Sequence, residues 1–204
     1  MKTRERILYK SLELFNELGE PNVTTLLISD ELEISPGNLY YHFKSKSDIL
    51  INLFAWYENE MGALLEVPDG ILDIEDQWFF LHLIFETIAK YRFIYNDVVH
   101  LIKQHESIRV RFNRIVKKKQ HASLKILKSL KKEERLNATD DEIEALCENI
   151  VQTATFWLSY SVLSDAQLPD DSLARGVYQV ISLVAPFLGK EQRDQLNELK
   201  TAYL

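Results

Sequence analysis

The sequence predicts an all-α protein of about nine helices, and three observations predict it. There are 6 Gly and 5 Pro in 204 residues, less than half of ordinary usage, so helix breakers are scarce. Apolar residues recur at spacings of three and four, the period of a helix buried along one side. Two hydroxyl residues stand three positions before an acid, Ser45 before Asp48 and Thr139 before Glu142, the arrangement that opens a helix by satisfying its free N–H groups.

Ile7, Ser11, Leu12, Phe15 and Leu18 share one side of a first helix that Gly19 stops. After Pro21-Asn22, either Thr24 or Thr25 caps a second, short helix reaching about Leu32. Ser35-Pro36-Gly37-Asn38 opens a third, with a hydroxyl at the cap and proline in the first turn; it ends near Phe43. Ser45 starts a long helix carrying Ile49, Leu53, Trp56 and Met61, which Pro68-Asp69-Gly70 ends.

Ile71, Ile74, Trp78, Leu81, Phe85 and Ile88 then mark an apolar face, and two helices are expected over Phe93–His105 and Ile108–Leu130, with Phe112, Ile115, Ala122 and Ile126 inward. The helix opened by Thr139 carries Ile143, Leu146, Ile150, Ala154 and Trp157, and Cys147, Val151 and Leu158 widen that stripe until it must be covered twice. Leu173, Val177, Ile181, Val184 and Leu188 form a similar stripe over Ser172–Leu188, where Pro186 is expected to kink the last turn and Gly189 to end it. A polar helix closes near Tyr203.

Several classes are excluded. Cys147 is the single cysteine, so no disulfide scaffold exists. The apolar run after the N-terminus is too short for a signal core, and no eighteen apolar residues run uninterrupted, so a cytoplasmic protein without a membrane partner is expected. The glycines are too dispersed for a phosphate loop, and His-Glu-x-x-His, Gly-x-Ser-x-Gly and cysteine-pair motifs are absent. His100 and His105 are five apart, off a common helix face. No enzymatic activity, cofactor or metal is expected.

Two short helices joined by a tight turn, the second opened by Ser-Pro-Gly-Asn, have the geometry by which a helix N-terminus enters the DNA major groove. Thr24-Thr25, Ile28, Leu32, Ile34-Ser35, Gly37-Asn38-Leu39-Tyr40-Tyr41-His42-Phe43 and Lys44-Ser45-Lys46 resemble the signature of TetR-type transcriptional regulators, over about the first fifty residues. Tyr91-Arg92-Phe93-Ile94-Tyr95 looks like one bacterial repressor branch of that family. The resemblance implies a helix-turn-helix DNA-binding domain over 1–50 and a helical effector-binding and dimerisation domain over 51–204. It implies that Gly37, Asn38 and Tyr41 approach bases, that Thr25, Ser35, Tyr40, His42 and Lys46 hold phosphates beside Pro36, and that Leu39 and Phe43 are core.

Two positions depart from the pattern. Ser29 stands where alanine is usual, and Glu33 where glycine is, at a turn whose left-handed conformation costs a non-glycine residue about 1 kcal/mol. Residues 1–50 hold six Lys and Arg against eight acids, so DNA affinity must come from local placement; Lys2, Arg4 and Arg6 form either an arm onto DNA or a solvated terminus. Residues 103–135 instead carry twelve Lys and Arg against three acids within a chain of net charge −7. That run reads either as a solvated face or as a second contact for an anion.

The expected partners are a double-stranded DNA operator, a second copy of the chain and a small-molecule effector. Trp78, His82, Phe85, Phe112, Phe156 and Tyr160 are the candidate effector lining. The two broad apolar helices are expected to pair with their copies through Ile150, Trp157, Val177, Ile181 and Val184 in a homodimer on a palindromic site. The family default is repression relieved by the effector. The competing reading is a helical ligand-binding adaptor of the same fold without a specific operator.

Overall fold

In a computed structural model of the protein, the hydroxyls of Thr24, Ser35, Ser45 and Thr139 each accept the backbone N–H three residues on: Leu27 at 3.1 Å, Asn38 at 3.2 Å, Asp48 at 3.1 Å and Glu142 at 3.2 Å. Each bond satisfies a donor that the helix cannot. Of the two threonines, Thr24 is the cap. At Thr139 the box is reciprocal, because the Glu142 carboxylate accepts the Thr139 N–H at 2.7 Å. Near Ser45 the Asp48 carboxylate accepts the Lys44 N–H instead.

The structure describes residues 2–67, 73–164 and 172–203. Among them are eleven α-helices and no strand: α1 (Thr3–Leu18), α2 (Thr25–Glu31), α3 (Pro36–His42), α4 (Lys46–Leu64), α5 (Ile74–Lys90), α6 (Arg92–Asn96), α7 (Val98–Gln104), α8 (Glu106–Lys132), α9 (Asp140–Ser164), α10 (Ser172–Val184) and α11 (Lys190–Tyr203). The helix expected over Phe93–His105 is two, broken at Asp97, whose φ of −126° and ψ of 28° leave the helical region. The bend expected at Pro186 is a 3₁₀ turn, Ala185–Phe187, since proline has no N–H to continue the ladder. Pro68-Asp69-Gly70 and Ile71 lie outside the described residues. No helix among the described residues is long and apolar enough to cross a membrane.

Contacts divide the chain into two units, Met1–Glu60 with Tyr91–Phe112, and Met61–Lys90 with Asn113–Leu204. In the first, Ile7, Phe15, Ile28, Leu39, Phe43, Ile49 and Leu53 are buried. The Tyr91–Tyr95 segment packs into this unit. Phe93 meets Phe15 edge-on at 5.4 Å and donates its N–H to Asn16 Oδ1 at 3.1 Å. The Tyr95 and Tyr57 hydroxyls lie 2.6 Å apart, fully buried, and burial pushes both phenols well above the usual tyrosine range.

In the second unit α10 packs on α5 and α9. Gly176 is the contact point: a Cβ there would lie 2.5 Å from Phe85 and 2.7 Å from Trp157. This close approach is what the glycine permits. Beyond α8, the Asn137 N–H donates to the Phe187 carbonyl and the Gly189 N–H to the Arg135 carbonyl, tying the α8–α9 loop to the end of α10. Lys119 of α8 is only 5% exposed, and burial pulls its ammonium down to about 7.

Candidate nucleic-acid interface

The turn between α2 and α3 ends α2 with a crossed pair of bonds. Ile34 N–H reaches the Ser29 carbonyl at 3.0 Å and Glu33 N–H the Asp30 carbonyl at 3.0 Å. This closure needs a left-handed residue at its fifth position, and Glu33 occupies it at φ 54°. Ser29, fully buried in α2, satisfies its hydroxyl on the Thr25 carbonyl at 2.9 Å. Both departures from the family pattern are thus accommodated by local bonding, Glu33 at the expense of backbone strain.

From this turn α3 projects with Leu39 buried and its other side open. Ser35, Pro36, Gly37, Asn38, Tyr40 and Tyr41 are exposed, Tyr41 to 85%. A Cβ on Gly37 would meet nothing closer than Ser35 Oγ at 4.0 Å. The chain's own packing therefore gives no reason for glycine there. Tyr41 rests edge-on against half-buried His42 at 5.0 Å, which limits the ring's freedom while leaving its hydroxyl outward. Thr25, at the first position of α2, shares a hydrogen bond of 3.0 Å with the Tyr40 hydroxyl, so two of the expected phosphate-holding groups come together.

Lys46 is partly buried. Its Nζ donates to the Glu20 carbonyl at 2.9 Å and lies 3.0 Å from the Glu20 carboxylate, itself buried. To hold a phosphate it must share or leave this partner. The basic terminus is no loose arm: Lys2 precedes α1, Arg4 donates to Asn52 Oδ1 at 2.7 Å, and its guanidinium lies 4.8 Å from the Phe43 ring centre. The sequence reading missed Glu20 and Asn52 as partners, because both lie far along the chain from the cations they hold.

The other candidates are placed differently from expectation. Ile150, Trp157, Val177, Ile181 and Val184 are buried within their own unit. Phe156, Tyr160, Val162 and Leu163 of α9 are the exposed apolar residues there, Leu163 to 86%. Phe156 and Tyr160 lie on this exposed surface of α9. Phe112 belongs to the first unit, packing near Phe54 and Tyr95. His82 is at the surface, 3.4 Å from Glu86, and Trp78 and Phe85 are buried core.

An apolar cavity of about 60 Å³ does exist in the second unit, lined among others by Gln77 and Leu81 of α5, Ser123 and Leu127 of α8, Ile150 of α9, and Ile181 and Val184 of α10. None of the six expected lining residues is part of it. On α5 the lining takes Ile74 and Leu81 from the expected apolar face and adds Gln77 and Phe80, while Trp78, His82 and Phe85 are not part of it. The lining is mostly aliphatic, with Phe80 its one aromatic side chain.

Two family models match. One described as "Bacterial regulatory proteins, tetR family" matches residues 7–53 and one described as "Bacterial transcriptional repressor" matches residues 56–196. No curated protein matches in sequence. Among solved structures, a TetR-family transcriptional regulator from Marinobacter aquaeolei VT8 is 34% identical, with a TM-score of 0.91 over 100% of this chain and 99% of that one. The ketosteroid transcriptional regulator KstR2 of Mycobacterium tuberculosis is 19% identical, with a TM-score of 0.67 over 93% and 96%. A protein from Saccharomonospora viridis, solved in complex with choline, is 18% identical, with a TM-score of 0.69 over 92% and 98%; these last two share the fold. With its helix-turn-helix and both matched regions, this chain belongs to the TetR family and is a DNA-binding transcriptional regulator.

Proposed function

We propose that the protein is a homodimeric, cytoplasmic repressor that leaves a palindromic operator when a small molecule enters its second unit. The observation that carries the DNA assignment is Gly37, exposed on the recognition helix with open space where a side chain would stand. A glycine required by no internal contact fits a backbone that must approach another molecule closely. In this reading 1–50 is the DNA-binding domain and 51–204 the effector and dimer domain. Gly37, Asn38 and Tyr41 face bases, and Thr25, Ser35, Tyr40, His42 and, once released from Glu20, Lys46 hold phosphates around Pro36. Phosphate contacts set register and base contacts discriminate.

The dimer contact is assigned to the outward stripe of α9, Phe156, Tyr160 and Leu163, whose spacings of four and three place them on one face. The effector site is assigned to the aliphatic cavity. Its 60 Å³ is small beside the roughly 300–1,000 Å³ of ordinary ligand sites, so an effector of several heavy atoms selects a conformation in which these helices have parted. Release follows if that conformation binds DNA less well. Choline, bound in one fold neighbour, supports a small-molecule effector without fixing its class.

The test is selection of pooled genomic fragments by the purified protein across a salt series, beside Tyr41→Ala. The expected result is salt-sensitive retention of a few palindromic fragments that the variant loses. Uniform retention of all fragments, equally weakened in the variant, would contradict base reading by Tyr41.

A further inference from the structure

The basic run of residues 103–135 is not uniformly solvated. Arg109 pairs with Glu106, Arg111 with Glu58 at 2.6 Å, and Lys131 with Asp140 at 2.7 Å. Lys117, Lys118 and His121, in the middle of α8, make no hydrogen bond or ion pair with the described residues. These same residues, with Lys125, line a cleft of about 420 Å³ between α8 and the segment Leu65–Val67 that follows α4. Lys125 holds one wall, donating from Nζ to the Val67 carbonyl at 2.7 Å. Leu65 and Ala122 supply an apolar floor, and Glu66 is the single carboxylate among the lining residues.

Lys117, His121 and Lys125 are spaced at four residues, so they stack along one face of the helix, with Lys118 beside them. Lys117, Lys118 and Lys125 gather in one cleft whose lining holds Glu66 as its single carboxylate, a concentration of positive charge that suits an anion. We propose that this cleft is a binding site for a small organic phosphate or polyphosphate, held by the ammonium groups of Lys117, Lys118 and Lys125 and the His121 imidazole. Its volume lies within the ordinary small-molecule range, whereas a DNA duplex is a convex cylinder that cannot enter it. The site is distinct from the aliphatic cavity, which Ser123 and Leu127 line from another face of the same helix, and it does not depend on the operator assignment.

The experiment uses the full chain and inorganic pyrophosphate as the probe, at constant ionic strength maintained with chloride. Pyrophosphate is expected to raise the Tm along a saturating curve and to move the His121 ring resonances in the NMR spectrum of the unmodified protein. Lys117→Gln/Lys118→Gln is expected to weaken that binding about tenfold or more. Lys131→Gln/Lys132→Gln, which removes equal charge from the same helix, is expected to leave it intact. Equal weakening by both pairs, or His121 resonances that do not move, would overturn the proposal. So would an unchanged pyrophosphate titration in Lys117→Gln/Lys118→Gln with a reduced salt dependence on random duplex, which would assign the run to DNA phosphates.

Discussion

Gly37 and Gly176 are both glycines inside helices, and their surroundings are opposite. At Gly176 a methyl group would strike Phe85 and Trp157; at Gly37 it would stand in open space. Gly176 is explained by the second unit's own packing, and Gly37 has no internal explanation. The contrast separates the two units more widely. The buried stripes of α9 and α10 serve the fold, while α3 buries only Leu39 and leaves Pro36, Gly37, Asn38, Tyr40 and Tyr41 exposed.

The sharpest break between inward and outward surfaces lies within α9. Trp157→Glu places a charge in a site that is 8% exposed, beside Gly176, and is expected to prevent folding at a cost of several kcal/mol. Leu163→Glu on the same helix is expected to fold normally and to yield monomers by sedimentation. A folded Trp157→Glu protein would mean the stripe is not core after all.

Gly176→Ala comes next. Overpacking costs about 1–3 kcal/mol, offset by the roughly 1 kcal/mol of helix propensity that alanine returns, so chemical denaturation is expected to show a modest net loss. A gain in stability would show that Phe85 and Trp157 yield easily.

Lys119 provides a pH-dependent measurement. Its folded value of about 7 lies below the 10.5 of an ordinary lysine. Between these values the unfolded chain binds the proton more tightly, so this residue's contribution to stability rises with pH across that window and is most unfavourable below about pH 7. Lys119→Met is expected to raise the Tm by a few degrees at pH 6 and by less at pH 10. A pH-independent difference would show that the ammonium is not desolvated in the native state.

The smallest effect belongs to Glu33→Gly. It removes left-handed strain of about 1 kcal/mol and is expected to raise the Tm slightly. Loss of a carboxylate near the DNA-facing side is also expected to tighten binding to all duplexes, and a drop in stability would contradict the strain at φ 54°.

The helices were legible because their signals are local. Ser35, Ser45 and Thr139 bond where their spacing to the next residues says they will, and Gly19 and Pro186 end or bend their helices through their own backbone limits. The recognition helix was legible for the same reason: seven residues specify which side is core. What was not legible depends on distant chain. Nothing near Tyr91–Tyr95 announces that this segment packs with α1 and α4. Lys46 gives no hint of Glu20, nor Arg4 of Asn52. Periodicity found the apolar stripes of α9 and α10, yet it carries no information on whether a neighbouring helix or a second copy covers them. Ile150 and Val184, on those stripes, line the cavity of the second unit.

The central claim is that α3 is shaped for DNA and not for its own fold, and Gly37→Ala tests it most directly. Thermal unfolding of the variant is measured beside fluorescence-anisotropy titration of the selected operator. Unchanged or slightly increased stability, with operator affinity lowered by about 1–3 kcal/mol, is the predicted result. Full operator affinity in the folded variant, or equal losses of stability and binding, would contradict it.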